Sequence, residues 1–518
     1  MSDDAASETQ PDPRDNAGRV ARNIASVAAS QLTTWLFSAV AIVIVPRALG
    51  PVAIGQLGLA TAIWQLGNIA IGFGSHQLII REMSQDPKEG SRVLSNVVAL
   101  QALAWVGVSV LVAAYAVLAG VDDTVAMLLV LVGLATIISQ QNQSARGAII
   151  GRERLGLTSS VSVIERAIAA GVTIVAVVLG YGVVVVTAVA GVATVVALGA
   201  HGIAVARDPE VVVKPTLADR RSVIQRAIPL MLLSSALLLY REIDVLALAA
   251  LADEEAVGLY AATDRLFGAM VMVPSAISLA LFPTLARRFT TDPEAVRATL
   301  RRLSALLGVV TLPMAVGAWM LGPDLAVTIL GEDFEKSGDV MRVYGIVLIP
   351  VAWTVIIGMY CTISKQERVW TFVLLASAVA TVPLDIFLVP FSEDRFDNAA
   401  LAGAIAFLVT ETSAVIFGFR RVLPGVMNGA TLSMFVRAGF AAAAMAGVLW
   451  AARDLNVFLA LIVGGGAYGI GALAFGALRL SELATLGGPF QRLARFGAAP
   501  SDGNTDGASS TPTSRSPE

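Results

Sequence analysis

The sequence predicts an all-α polytopic membrane protein of about fourteen transmembrane helices, two six-helix bundles followed by an extra C-terminal helix pair. Three observations lead there. Hydrophobic residues make up 56% of the 518 and charged residues only 14%, with a mean hydropathy of +0.75, whereas a soluble domain carries about a quarter charged residues. The apolar residues come in runs of roughly twenty, the length that crosses a hydrocarbon core of about 30 Å. The basic residues, finally, gather in every second loop.

Taken in order, the chain opens on "SDDAASETQPDPRDN", polar and acidic, without the basic start and small-residue cleavage site of a signal peptide. Residues 1–22 are expected to be a disordered cytoplasmic tail, and the first span to be retained. Apolar runs between charged or Gly/Pro breaks then fall near 24–46, 53–74, 93–119, 124–144, 158–180 and 182–206, the first bundle (23–206). Residues 207–226, with five basic side chains, read as a cytoplasmic linker. The second bundle (227–419) holds runs near 227–251, 256–285, 303–322, 341–363, 369–391 and 400–419. Between its second and third runs, "TDPEAVRATLRRL" offers Asp292 as N-cap, Pro293 at the first helical position and Glu294 in the first turn, a short cytoplasmic helix. Runs near 432–451 and 456–478 form the extra pair within 420–480. The polar stretch ending in "TSRSPE" makes 481–518 a second disordered tail.

Charge orients these spans. Of the 36 basic residues, 28 lie in one alternating set of loops or the tails, five (Arg47, Lys336, Arg342, Arg395, Arg453) in the other set, and three inside spans. The second set is acidic, as in "DEE" at 253–255 and "GEDFEKSGD" at 331–339. Basic loops stay in the cytoplasm, so both termini are placed there.

Several chemistries are excluded. A single cysteine, Cys361, rules out an internal disulfide and a thiolate metal site. The only histidines, His76 and His201, lie far apart, so no metal site is expected. No phosphate-cradling GxxxxGK[ST] occurs, which argues against ATP hydrolysis, and no other cofactor is implied. A net charge of −3 does not suggest nucleic acid. A membrane glycosyltransferase or ligase would need a sizeable loop with placed acids, and the longest outer loop, about 322–340, is short. The chain is not expected to be an enzyme.

"RALGPVAIGQLGLATAIWQL" (47–66) and "AALADEEAVGLYAATDRLFG" (249–268) share one design: an outer loop, then Ala-x-Gly opening a span (Ala53 and Gly55; Ala256 and Gly258), then an aromatic (Trp64; Phe267). The two lie 203 residues apart at equal spacing. They match spans one and two to spans seven and eight, as parallel six-helix halves would, with a substrate site between halves. The stretch "REIDVLALAALADEEAVGLYAATDRL" resembles the helix seven-to-eight region of polysaccharide-biosynthesis (O-antigen type) flippases of the multidrug/oligosaccharidyl-lipid/polysaccharide exporter superfamily. "MVPSAISLALFPTLAR" (272–287), "LGEDFEKS" (330–337) and "VPLDIFLVP…ALAGAIAFLVTE" (382–411) resemble it too, the last interrupted by the insertion "FSEDRFDN". The resemblance covers roughly 20–480. It implies two helical bundles around a central cavity in the cell (inner) membrane, and a lipid-linked oligosaccharide as cargo. Glycosyltransferases or a polymerase of the same pathway are the implied partners. A drug or metabolite antiporter of the same superfamily is the closer rival; those have about twelve helices, so the extra pair favours the flippase.

Charges inside the spans mark candidate sites. An Arg or Asp at a helix centre costs roughly 2.5–3.5 kcal/mol on insertion scales, so it faces a cavity or a partner. Span seven carries Arg241, Glu242 and Asp244; span eight Asp264 and Arg265; span five Glu165 and Arg166; span twelve Glu411; span eleven Asp385. Helix-to-helix ion pairs are the bland explanation. The functional one assigns Arg241, Glu242, Asp244, Asp264, Arg265 and Arg166 to a cavity that binds a diphosphate, for which the guanidinium fork is suited. Gln65 and Asn68, three apart on span two, join the candidates, and Asp244, Asp264 and Glu411 are candidates for coupling. The stripe Ser26, Ser30, Thr34, Ser38 reads as small-residue helix packing.

Overall fold

The computed structural model describes residues 13–477, all helix and connecting turns with no strand among them. Its first helix, α1 (Pro13–Gly72), carries both of the first two predicted spans. At 60 residues it would be about 90 Å long if straight, at 1.5 Å per residue, three bilayer cores deep. It is broken at Gly50, whose φ of 77° and ψ of 170° only glycine adopts without strain. After a turn at Phe73–Gly74 comes a short helix that the apolar pattern did not reveal, α2 (Ser75–Gln85).

The remaining predicted spans each have their helix. They are α3 (Pro87–Ala119), α4 (Asp123–Gly151), α5 (Leu155–Val178), α6 (Val183–Ala206), α7 (Arg220–Leu251), α8 (Glu254–Arg288) and α9 (Pro293–Leu330). After them come α10 (Ser337–Ile363), α11 (Glu367–Phe396), α12 (Ala400–Phe417), α13 (Gly429–Ala451) and α14 (Val457–Ala474). Twelve stretches of the described residues are long and apolar enough to cross a bilayer, thirteen when the two arms of α7, bent by 53°, count as one. The stretch that takes in α1 runs Ala39–Gln85, across the break at Gly50 and on into α2.

Four boundaries differ from expectation. Helix α1 begins at Pro13, inside the predicted tail, because proline at a first helical position costs no hydrogen bond; residues 1–12 and 478–518 lie outside the described residues. The linker ends at Asp219 and not at 226, since α7 starts at Arg220. Asp292 does cap a helix, its side chain accepting from the Ala295 N–H at 2.9 Å, but α9 then runs unbroken to Leu330. The insertion 391–398 extends α11 to Phe396 instead of forming a loop.

The core is uneven. Apolar windows of α9, α10 and α12 are 61, 56 and 56% buried, against 17–22% for α3 to α6. Two large clusters fill the space among α7 to α12, one of them also taking in Val45, Ile54 and Ala62 of α1. Smaller clusters join α2, α3 and α4 to the start of α7, and α1 to α3 and α4. The pair α13–α14 packs on α9, where the Tyr468 hydroxyl donates to the Val309 carbonyl at 2.6 Å.

The linker is fastened to α3. Ser91 and Ser95, one turn apart, accept from the backbone N–H groups of Val212 (3.3 Å) and Lys214 (3.0 Å), and Asn96 from that of Asp219 (3.0 Å). Arg92 forks onto the Asp219 carboxylate, and Arg226 on the first arm of α7 pairs with Glu82 and Glu89.

Helices α1 and α8 cross in backbone contact. A Cβ on Gly55 would stand 1.8 Å from the Glu254 carbonyl oxygen, and one on Gly258 1.8 Å from that of Pro51. The shift of 203 residues found in the sequence relates these contacts, 51 to 254 and 55 to 258, so each helix meets the other with the same surface. Gly58 and Ala261, also 203 apart, touch each other, as positions on a local two-fold axis do.

Candidate functional site

The charges lie in α5, α7, α8, α11 and α12, and beyond salt-bridge distance the charge of Arg241 acts on Asp264 and Glu242 and that of Arg265 on Asp264. Among the described residues, Arg241, Arg265, Arg166, Glu242, Asp264, Asp244 and Glu411 make no salt bridge within 4 Å, and the salt bridges present lie in the loops and helix ends. Arg241 and Arg166 are exposed, whereas Glu242, Asp264 and Arg265 are half-buried. Asp244 is buried, although it sits only three residues from Arg241.

Tyrosine hydroxyls serve the acids. Tyr260 of α8 donates to Asp244 at 3.1 Å, Tyr344 of α10 lies 3.4 Å from Asp264, and Tyr240 of α7 donates to Glu411 at 2.7 Å. Glu411 also accepts a short hydrogen bond from Thr354. Three of the seven tyrosines of the chain thus meet the interior carboxylates. Tyr240 and Tyr344 pack on Phe407, Phe267 stacks on Tyr344 at 4.5 Å, and Tyr260 packs on Tyr344, which fixes each hydroxyl in place. Tyr240 and Tyr260 lie one helical turn before Asp244 and Asp264, a repeated Tyr-x-x-x-Asp spacing that sequence reading passed over. The pairing crosses between helices, because Tyr260 serves Asp244.

Asp385 of α11 stands apart. It is fully buried, and neither of its carboxylate oxygens has a hydrogen-bond partner. One oxygen of Asp244 is equally unpartnered, and the charge of Asp385 acts on Asp244. Buried, unpartnered acceptors are rare and call for an explanation.

The first six helices are built from neutral polar pairs instead. Gln140 donates to Asn68 at 2.7 Å, His201 meets Asn142 at 2.7 Å, and Gln101 links Ser75 to Ser144. Asn68 is therefore spoken for by α4, while the half-buried Gln65 has no such bond. The side chains of Ser26, Ser30, Thr34 and Ser38 lie outside those described. No group of three or more His, Cys, Asp or Glu able to hold a metal occurs among the described residues.

Fold and charges together define a multi-pass helical membrane protein with a tyrosine-lined acidic interior and unpaired mid-span arginines. The sequence matches the family described as polysaccharide biosynthesis protein over residues 20–289, more than half of the chain, which belongs to that family. No curated protein matches it. Among solved structures it is similar to lipid II flippase MurJ in an inward closed conformation, at 11% identity and a TM-score of 0.72, covering 87% of this chain and 98% of that one. It is also similar to an inward-facing multidrug resistance MATE family transporter of the MOP superfamily (14% identity, 75% and 94% covered, TM-score 0.59). An outward-facing MATE transporter gives 16% identity, 76% and 94% covered, and 0.52. At these identities the likeness is one of fold.

Proposed function

We propose that this protein is a flippase, moving lipid-linked oligosaccharide from the cytoplasmic to the outer leaflet of the cell membrane by alternating access. The moving parts are residues 23–206 and 227–419, with 420–480 as an added pair and both termini cytoplasmic. The carrying observation is the set of unpaired arginines at mid-span, Arg166 before the linker and Arg241 and Arg265 after it, in a chain of the polysaccharide biosynthesis family. An unpaired guanidinium in the hydrocarbon is costly enough that it is kept for a ligand or a water-filled path. A diphosphate matches its fork geometry. The function is transport and not catalysis.

Energy for export is available without ATP. Moving one negative charge outward along an inside-negative potential releases about 2.3 kcal/mol per 100 mV. Two charges on a diphosphate give roughly 4–5 kcal/mol. Coupling to a cation falls to the acids: Asp244 and Asp385 place three unpartnered carboxylate oxygens in the interior of the second bundle, as a proton or an alkali ion requires. Asp264 and Glu411, already bonded by Tyr344, Tyr240 and Thr354, are further candidates.

Purified protein in vesicles tests the substrate class. A fluorescent lipid-linked diphosphate oligosaccharide should cross between leaflets with the protein and not without it, and a cationic drug should not be extruded. Drug extrusion without lipid movement would establish the antiporter of the same superfamily instead.

A further inference from the structure

Among the described residues, apart from apolar packing, the outer closure between the two bundles rests on three contacts. The first is the α1–α8 crossing at Gly55 and Gly258, held by close approach of two backbones with no side chain locking it. The second is Gln56, whose amide donates to Glu254 at 2.8 Å and lies 3.4 Å from Asp122 of its own bundle. The third is Arg47, in the outer turn of α1, which donates to the Thr328 carbonyl at 2.9 Å and the Val327 carbonyl at 3.4 Å.

We propose that Arg47 is the latch of the outer closure, holding the first bundle on the C-terminal end of α9. This rests on the alternating-access reading and adds the element that controls it. The last carbonyls of a helix lack intrahelical donors and carry the negative end of its dipole. Val327 already accepts from the Gly331 N–H at 3.0 Å, so Thr328 is the open acceptor that Arg47 fills. Gly331 has a φ of +112°, which favours glycine, and a side chain there would press on Arg47, its Cβ standing 3.3 Å from the arginine Cγ. The outer loop beyond is acidic, with Glu332, Asp333 and Glu335, yet Arg47 forms no ion pair with it. A carboxylate partner would move with a side chain; a helix end moves only with its bundle. Arg47 therefore reports, and resists, displacement of α9 from α1. The Gly55–Gly258 crossing acts as the pivot face against which the latch closes.

The test uses a Cys361→Ala background with Gly58→Cys and Ala261→Cys, positions where a Cβ on Gly58 would stand 3.4 Å from that of Ala261, near the separation a disulfide needs. Oxidative crosslinking in membranes measures how much protein is closed outside. Arg47→Gln is expected to lower the crosslinked fraction at least threefold. Arg47→Lys, which still donates to a carbonyl, should restore most of it. Gly55→Ala, whose methyl must displace the Glu254 carbonyl, should also lower it. Equal crosslinking in Arg47→Gln and the parent, with loss in Gly55→Ala, would overturn the latch and leave alternating access standing. Full export by crosslinked protein would overturn alternating access itself, and the latch with it.

Discussion

Asparagine at position 385 should separate stability from transport. Asp385 is fully buried and both of its oxygens lack donors. Leaving a buried ion without its partner costs about 3–5 kcal/mol. An amide of the same shape without partners costs about 1–3 kcal/mol. With no cation bound, Asp385→Asn should thus be the more stable protein by about 2 kcal/mol, a rise of a few degrees in Tm for a chain of this size. Occupied by its cation, the carboxylate loses that handicap and the difference closes. The assay is thermal unfolding in detergent without alkali ions, then with them, beside export in cells. Expected are a higher Tm for Asp385→Asn in the first buffer, no further gain in the second, and export reduced at least tenfold. Sodium or potassium raising only the parent's Tm would identify an alkali ion; no response would assign the proton. A variant that melts lower and exports at the parent's rate would refute the coupling site.

Three further outcomes follow from the same structure. Tyr240→Phe leaves Glu411 with Thr354 alone and should cost about 1–3 kcal/mol, the cost of leaving a buried polar group short of a partner, read as a lower Tm in detergent; an unchanged Tm would mean that Glu411 is served elsewhere. The Arg92 guanidinium holds the Asp219 carboxyl below the usual carboxylate range. Its contribution to fastening the linker is therefore complete above pH about 4 and is lost as pH falls through the lower folded value. Limited proteolysis of 207–219 should stay slow at pH 5 and quicken only in stronger acid, and cleavage already rapid at pH 5 would contradict this. A reporter fused after Arg479 should be cytoplasmic and one near Asp333 outside, and finding both on one side would sink the fourteen-span topology.

The spans were legible because a bilayer imposes a length that a sequence must display, run after run. Gly50 was not, since a break inside an apolar stretch leaves no polar mark, and α2 was hidden by its short, mixed sequence. Arg241, Asp244, Asp264 and Glu411 stood out as charges in apolar helices. The partners of the three acids did not, because Tyr240, Tyr260 and Tyr344 read as ordinary packing until three dimensions bring their hydroxyls to Glu411, Asp244 and Asp264. Burial takes Asp244 inward while Arg241, three residues before it, stays exposed, and neither makes a salt bridge within 4 Å among the described residues. Ser91, Ser95 and Asn96 carried no signal either, for only the fold brings the linker backbone against them. The 203-residue repeat, by contrast, was faint in sequence and plain in space, where Gly55 and Gly258 meet reciprocally.

The central claim, that unpaired arginines carry the diphosphate of the cargo, is tested most directly at Arg241. Export and protein level should be measured together for Arg241→Gln, alone and combined with Asp244→Asn or Glu242→Gln. Arg241 is exposed and makes no salt bridge within 4 Å among the described residues, so the single variant is expected to insert and accumulate as the parent does while export falls at least tenfold, and neither second change should restore it. Full recovery of export by Asp244→Asn or Glu242→Gln would make these charges structural and contradict their assignment to the cargo.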